Sequence, residues 1–278
     1  MNRILLQIQV LYEKMGRAEK KIADWVLKNP GGLIPLSICE LADACDCSEA
    51  TVVRFARRLG FDGYQALKIS LARLEGNVNI SSTIKKSDTC MEMFEKVSND
   101  IYYSLEKTKQ ALSEEPLLRA AKAIAAASTV VTYGLGNSAA VAMDAQHKFM
   151  RAGCRATAYC DNHMQAINAS HLTEGDVAIG ISHSGSSKDI VEALKIAREN
   201  GATTICITNK GKSPILKQSD IVLYTASNET QYSILGLNSR IAQLAIINTL
   251  YFYIVCHRDE AAMRAIENTE QALLSKKY

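Results

Sequence analysis

Proline is scarce in this 278-residue chain, with 4 residues, and glycine is modest, with 15. Collagen repeats, Pro-rich linkers and low-complexity scaffolds need far more of both, so those classes are excluded. Long hydrophobic runs are lacking as well. The most apolar stretch, Ile241 to Cys256, is shorter than the roughly 20 residues a membrane helix needs. It also carries Gln243 and Asn248, so it reads as a buried helix, and no membrane partner is expected. The first apolar residues are broken up by Arg3, Gln7 and Gln9, with no cleavage site of small residues behind them, which gives no secretory signal to read. A surplus of one charge is missing too. Against 32 basic residues stand 29 acidic ones, and a net charge of +3 cannot hold nucleic acid or acidic membrane by bulk attraction. Any DNA contact must be local.

What the chain does have is aliphatic residues, 47% apolar overall, enough to bury cores and to exclude disorder. Its length suggests two domains at about 100–200 residues each. The eight cysteines (39, 45, 47, 90, 154, 160, 206 and 256) are scattered among apolar residues, unlike a secreted disulfide framework, which points to buried thiols in a reducing cytoplasm. Cys45 and Cys47 lack the spacing and the second pair of a structural zinc site, and no metal or cofactor is expected.

In the first third, Ile4, Ile8, Leu11 and Met15 recur at helical spacing, and Arg17 to Asn29 reads as a second helix stopped by Pro30-Gly31. The next segment, Ile38 to Arg57, has a stricter order: a short apolar helix, small Ala42, a tight turn at Cys45 to Cys47, Ser48 as N-cap, then another helix. A helix-turn-helix needs a small residue where its helices cross and apolar side chains near Leu41, Val52 and Phe55 to lock them. At about 100° per residue, Val52, Phe55 and Leu59 fall inward while Thr51, Arg54 and Arg58 face away as a stripe able to enter a major groove. Ser48, Glu49, Ala50, Thr51, Arg54, Arg57 and Arg58 are therefore the candidate DNA-binding residues. Residues 48 to 73 carry five basic side chains (Arg54, Arg57, Arg58, Lys68, Arg73) against two acidic ones (Glu49, Asp62), which places positive charge where contact needs it. Asp46 stands where many such turns have Gly, and Asp tolerates a left-handed backbone. A solvated helix in a protein-interaction adaptor is the bland alternative.

The runs Ser48-Glu-Ala-Thr-Val-Val-Arg54 and Arg58-Leu-Gly-Phe-Asp-Gly-Tyr-Gln-Ala-Leu-Lys68 resemble the DNA-binding head of the RpiR family of bacterial transcription regulators. That family joins such a head to a sugar isomerase (SIS) domain that binds phosphosugars. The resemblance thus makes a demand on the rest of the chain.

Residues 75 to 89 are polar and without period, as in a linker, and helices resume over 91–112 and 116–127. Beyond them, β-branched runs at 129–133, 155–158, 177–182, 203–208 and 221–224 alternate with helical patterns at 138–152, 188–200 and 233–258, predicting a parallel, doubly wound sheet. The expected fold class is α/β, an all-helical helix-turn-helix domain (1–76), a linker and connecting helix (77–112) and a doubly wound SIS domain (113–278). Two strand ends carry chemistry. Gly134-Leu-Gly136-Asn137-Ser138 leads from a strand into a helix. Ser182-His183-Ser184-Gly185-Ser186-Ser187 puts four hydroxyls ahead of another, where free amides and hydroxyls bind phosphate without burying lysines. A Walker loop is excluded for want of Gly-Lys-Ser/Thr, and a dinucleotide fingerprint lacks its third glycine.

This half resembles the SIS domain through those two loops, Thr208-Asn209, Glu229 and Ser239-Arg-Ile-Ala-Gln243. The resemblance implies that Gly136, Asn137, Ser138, Ser182, His183, Ser184, Ser187 and Glu229 surround a sugar phosphate. Ser233 stands where many relatives carry Arg. The whole then reads as a DNA-binding regulator, a repressor by family habit with activation as the alternative sign, with operator DNA and a sugar-phosphate effector as partners. It is expected to work as a homodimer or homotetramer, with Ile4/Ile8/Leu11 or the 241–256 helix as candidate contacts. No catalytic residue is assigned. The alternative is a phosphosugar isomerase or lyase in which Glu229 with His163 or His183 serves as base.

Overall fold

A computed structural model describes residues 3–33, 36–74, 84–227 and 237–276. Two compact units make up the chain, one mainly from residues up to Ser98 and one mainly from Asn99 onward. Glu229 and Ser233, and most of the 75–89 linker, lie outside the described residues.

The first unit is helical: α1 (Arg3–Leu11), α2 (Arg17–Lys28), α3 (Ile38–Ala44), α4 (Glu49–Arg58) and α5 (Tyr64–Leu74). Its core gathers Ile4, Ile8, Ile22, Val26, Leu41, Val52, Phe55, Leu67 and Leu71, all at most 2% exposed. Met15 joins them, yet α1 ends at Leu11 and a 3-10 turn over Tyr12–Lys14 carries the chain to it, so the predicted face is a helix plus a turn. Because Ile4 and Ile8 are used up in this core, they cannot form the dimer contact the sequence suggested.

The second unit opens with α6 (Cys90–Ala111), which starts in the first, and α7 (Glu114–Ala126). Then β1 (Val130–Gly134), α8 (Asn137–Arg151), β2 (Ala156–Tyr159), α9 (Asn162–Ala169), β3 (Val177–Ile181), α10 (Lys188–Glu199), β4 (Thr203–Asn209) and β5 (Ile221–Thr225) alternate, and α11 (Leu237–His257) and α12 (Asp259–Leu274) follow. All neighbouring strands are parallel, in the order β2-β1-β3-β4-β5. Side chains alternate across the sheet as a pleat requires. Val130, Ile179, Ile205 and Leu223 enter one core with Phe149 of α8 and Ile247 and Leu250 of α11. Val131, Ala178 and Cys206 enter the other, with Ile190 and Leu194 of α10.

Three expectations need correction. The 241–256 stretch is not buried all round: Ile246, Ile247, Leu250 and Ile254 face the core, but Phe252 is 62% exposed. Two helices went unpredicted: α9, which carries no strong apolar period and whose start is capped by Asp161 Oδ1 accepting from the Met164 amide at 2.9 Å, and α12. Finally, Cys45, Cys154 and Cys206 are buried, but Cys90, Cys160 and Cys256 are exposed.

Candidate functional site

In the first unit, Ser37 caps α3 by accepting from the Glu40 amide, and the helix ends with the Cys47 amide reaching back to Ala42 O at 2.9 Å. Ala42 is 3% exposed at this crossing, as a close approach demands. Asp46 takes φ 47°, the left-handed turn position, and its carboxylate meets Lys21 Nζ at 2.6 Å. Ser48 then caps α4, its Oγ accepting from the Thr51 amide at 3.3 Å.

The face that α4 presents differs from the predicted stripe. Thr51 is only 6% exposed, and its Oγ1 lies 2.9 Å from Ser48 Oγ, so its hydroxyl serves the cap and not a groove. Arg58 is likewise engaged. Its Nε donates to Glu19 Oε1 at 3.1 Å and an Nη to Lys14 O at 3.1 Å. Arg54 remains, with 63% of its side chain exposed, its Nε 3.7 Å from the same Glu19 oxygen. Arg57 is exposed and Glu49 half-buried, with Glu49 Oε1 accepting from Cys39 Sγ at 2.9 Å. Sequence reasoning missed Glu19. It sits at the third position of α2, where its Oε2 accepts from the Gly16 amide at 3.0 Å. That capping-box position was the only available signal. Burial pushes the Glu19 carboxyl up, but the Gly16 amide and the two arginines outweigh burial and hold it below the usual carboxylate range.

In the second unit, the sheet order reverses direction between β1 and β3, and in such sheets ligands bind beyond the carboxyl ends at that switch point. Both predicted loops leave those two ends. Gly134 closes β1 with no room for a side chain, since a Cβ would stand 2.5 Å from Ser138 O in the first turn of α8. This close packing sets Gly136, Asn137 and Ser138 at the start of α8, Gly136 and Asn137 exposed and Ser138 half-buried. Neither α8 nor α10 has a side chain capping its first amides, but in α8 the Ser138 and Ala139 amides already donate to Leu135 O and Gly136 O, each at 3.1 Å, so α10 is the helix start better placed to meet a ligand.

The loop after β3 is clamped from several sides. The Ser182 amide donates to Ile207 O at 3.1 Å, and His183 O accepts from the Asn209 amide at 3.0 Å. Gly185 turns at φ 61°, a conformation that side chains rarely adopt, and its carbonyl accepts from the Ile215 amide at 3.0 Å. Within this frame Ser182 is 3% exposed and its Oγ lies 3.2 Å from Ser187 Oγ at the N-cap of α10. Ser184 is exposed and accepts from the Ser186 amide at 3.2 Å, which leaves its hydroxyl proton to give. His183 is half-buried beside them, while His163 is exposed in the first turn of α9. Gln165, also unforeseen, is fully buried and ties the two adjacent strand ends, donating to Tyr159 O at 2.8 Å and Gly134 O at 3.4 Å.

A helix-turn-helix unit joined to a doubly wound unit with a hydroxyl-lined switch point defines an architecture of ligand-responsive DNA-binding regulators. The model of the helix-turn-helix domain of the rpiR family matches residues 2–75, and that of the SIS domain matches residues 123–253. The chain is 39% identical over 279 residues to an HTH-type transcriptional regulator of Caldanaerobacter subterraneus subsp. tengcongensis, covering 100% of this chain and 99% of the relative. It is 32% identical to the HTH-type transcriptional regulator HexR of Pseudomonas aeruginosa, over 100% of this chain and 98% of HexR. Against RpiR of Escherichia coli K12 it is 32% identical over 88% of this chain and 83% of the relative. The chain therefore belongs to the rpiR family of transcriptional regulators. Among solved structures, Vibrio vulnificus NanR complexed with ManNAc-6P shares the fold at a TM-score of 0.82 and 24% identity, covering 99% of each chain.

Proposed function

We propose that this regulator binds a sugar phosphate in its SIS unit and that binding changes the affinity of its helix-turn-helix unit for operator DNA. The observation that carries the reading is the meeting of Ser182 and Ser187 hydroxyls, 3.2 Å apart, at the uncapped start of α10 on the switch point of the sheet. A phosphate there takes hydrogen bonds from hydroxyls and from amides whose helix dipole favours an anion. Gly136, Asn137 and Ser138 line the neighbouring strand end, and His183 and Ser184 complete the part of the proposed site that the described residues form; Glu229 is assigned to it by the family resemblance alone. The NanR complex with ManNAc-6P supports a phosphosugar as the ligand class.

On the DNA side the assigned contacts are Arg54 and Arg57 with Ser48, Glu49 and Ala50 at the start of α4, while Thr51 and Arg58 act from behind. The protein works as a homodimer or homotetramer in the cytoplasm, because a single head reads too short a site. It represses its target genes and releases them on binding the effector, and it does not turn the sugar over. Thermal-shift measurement against a panel of sugar phosphates tests the reading: one compound at 100 times its Kd should add about 2.7 kcal/mol. Conversion of that compound to an isomer by the purified protein would favour an isomerase instead.

A further inference from the structure

Glu19 is a buried carboxylate facing two arginines of the helix that the proposed function assigns to DNA, and its contacts with them are unequal. Only 3% of its side chain is exposed. Arg58 is held at hydrogen-bonding distance, 3.1 Å, and is anchored a second time by Lys14 O. Arg54 is at ion-pair distance only, 3.7 Å through Nε, and its Nη2 sits 3.5 Å from Thr51 Oγ1. Both contacts on Arg54 come from one flank of the guanidinium, and the side chain is 63% exposed. A free arginine loses rotamer entropy when it docks on a base edge, and one already restrained along its flank loses less.

We propose that Glu19 is a positioning residue for DNA recognition, fixing Arg58 as a strut between α2 and α4 and orienting Arg54 so that its remaining guanidinium edge is presented to a base. This rests on the assignment of α4 to the groove. It gives a buried acid in a basic head a task beyond folding: the carboxylate sharpens sequence discrimination at the one base pair Arg54 meets, although it touches no DNA.

The test is selection from a randomised 20-bp duplex library by the full-length protein, followed by competition titrations that score each position of the selected site. Arg54→Ala identifies the pair that Arg54 reads, where about fivefold or more of discrimination should vanish. Glu19→Gln should lose about threefold or more at that same pair and leave the other positions unchanged. Combined with Arg54→Ala, it should add no further loss there. A residue that only held the fold would lower affinity for every sequence alike, with or without Arg54. Undiminished discrimination at that pair in Glu19→Gln, or an equal additional loss in the Arg54→Ala background, would overturn the proposal. Should Glu19→Gln fail to fold, Glu19→Asp, which keeps the charge on a shorter arm, is judged by the same two criteria. If the wild-type protein selects no sequence at all, it is the DNA-binding assignment of α4 that fails.

Discussion

Ser182 and Ser184 differ in burial but share a loop whose backbone is fixed to β4, so replacing both by Ala removes two donors without disturbing the strand. Each charge-assisted bond is worth on the order of 1.5–3 kcal/mol, and the double variant should bind sugar phosphate at least a hundredfold more weakly while keeping its Tm. Isothermal titration decides this. Gly134 is a packing residue and behaves oppositely: Gly134→Ala drives a Cβ against the backbone of Ser138 and should cost about 1–3 kcal/mol in thermal unfolding. An unchanged Tm would mean that α8 can move away freely. In the first unit, Arg58→Ala leaves the buried Glu19 with its weaker partner and should destabilise the head by about 1–3 kcal/mol, whereas Arg54→Ala should leave stability nearly untouched. Because the folded Glu19 carboxyl is held low, its contribution is complete above its unfolded pKa, about 4.3, and is lost as pH falls through the folded value. Denaturant unfolding of the head between pH 6 and about pH 3 should show this loss in wild type and not in Glu19→Gln. Residues of this kind are the least legible in a sequence. Thr51 and Arg58 fall on the outward side of a helical wheel, but the Thr51 hydroxyl turns back to Ser48 as part of the cap, and only the position of α2 and its Glu19 turns Arg58 into a strut.

Among the elements, the turn between α3 and α4 is the one whose sequence departs from the commonest pattern. Asp46 adopts φ 47° and pairs with Lys21 through a carboxylate that is 94% exposed. Exposed pairs are worth little, and glycine accepts a left-handed backbone more easily, so Asp46→Gly should leave the Tm of the head equal or higher. A drop of several degrees would show the Lys21 contact to matter more than the backbone. Elements with strong periods were legible in the sequence: β1, β3 and β4 are apolar runs closed by loop residues, and α10 has its apolar face at helical spacing. The helix α9 was not, since Asn162-His-Met-Gln-Ala-Ile-Asn-Ala is short and polar and depends on Asp161 as its cap. Nor was the one-sided burial of α11, whose residues are apolar on nearly every side, so that no period separates the core face from the one bearing Phe252.

At the scale of the molecule, alternation of strands and helices foretold a parallel doubly wound sheet, but the order β2-β1-β3-β4-β5 follows from long-range pairing that no local pattern encodes. That order matters for function, because it puts the Gly134–Ser138 and Ser182–Ser187 loops at neighbouring strand ends of one switch point. For an effector to act on DNA binding, this point and the helix-turn-helix unit must be energetically coupled, and coupling between two ligands is reciprocal. Titrating the selected DNA duplex into wild type and Ser182→Ala/Ser184→Ala, each with the stabilising sugar phosphate and with the same sugar lacking phosphate, measures this coupling. Wild type should shift its DNA affinity by about 5- to 150-fold with the sugar phosphate only, and DNA should shift the sugar phosphate's affinity by the same factor. The double variant should bind DNA normally and not respond. A response undiminished in the variant, or equal for the free sugar, would show that the Ser182–Ser187 loop is not where the effector acts.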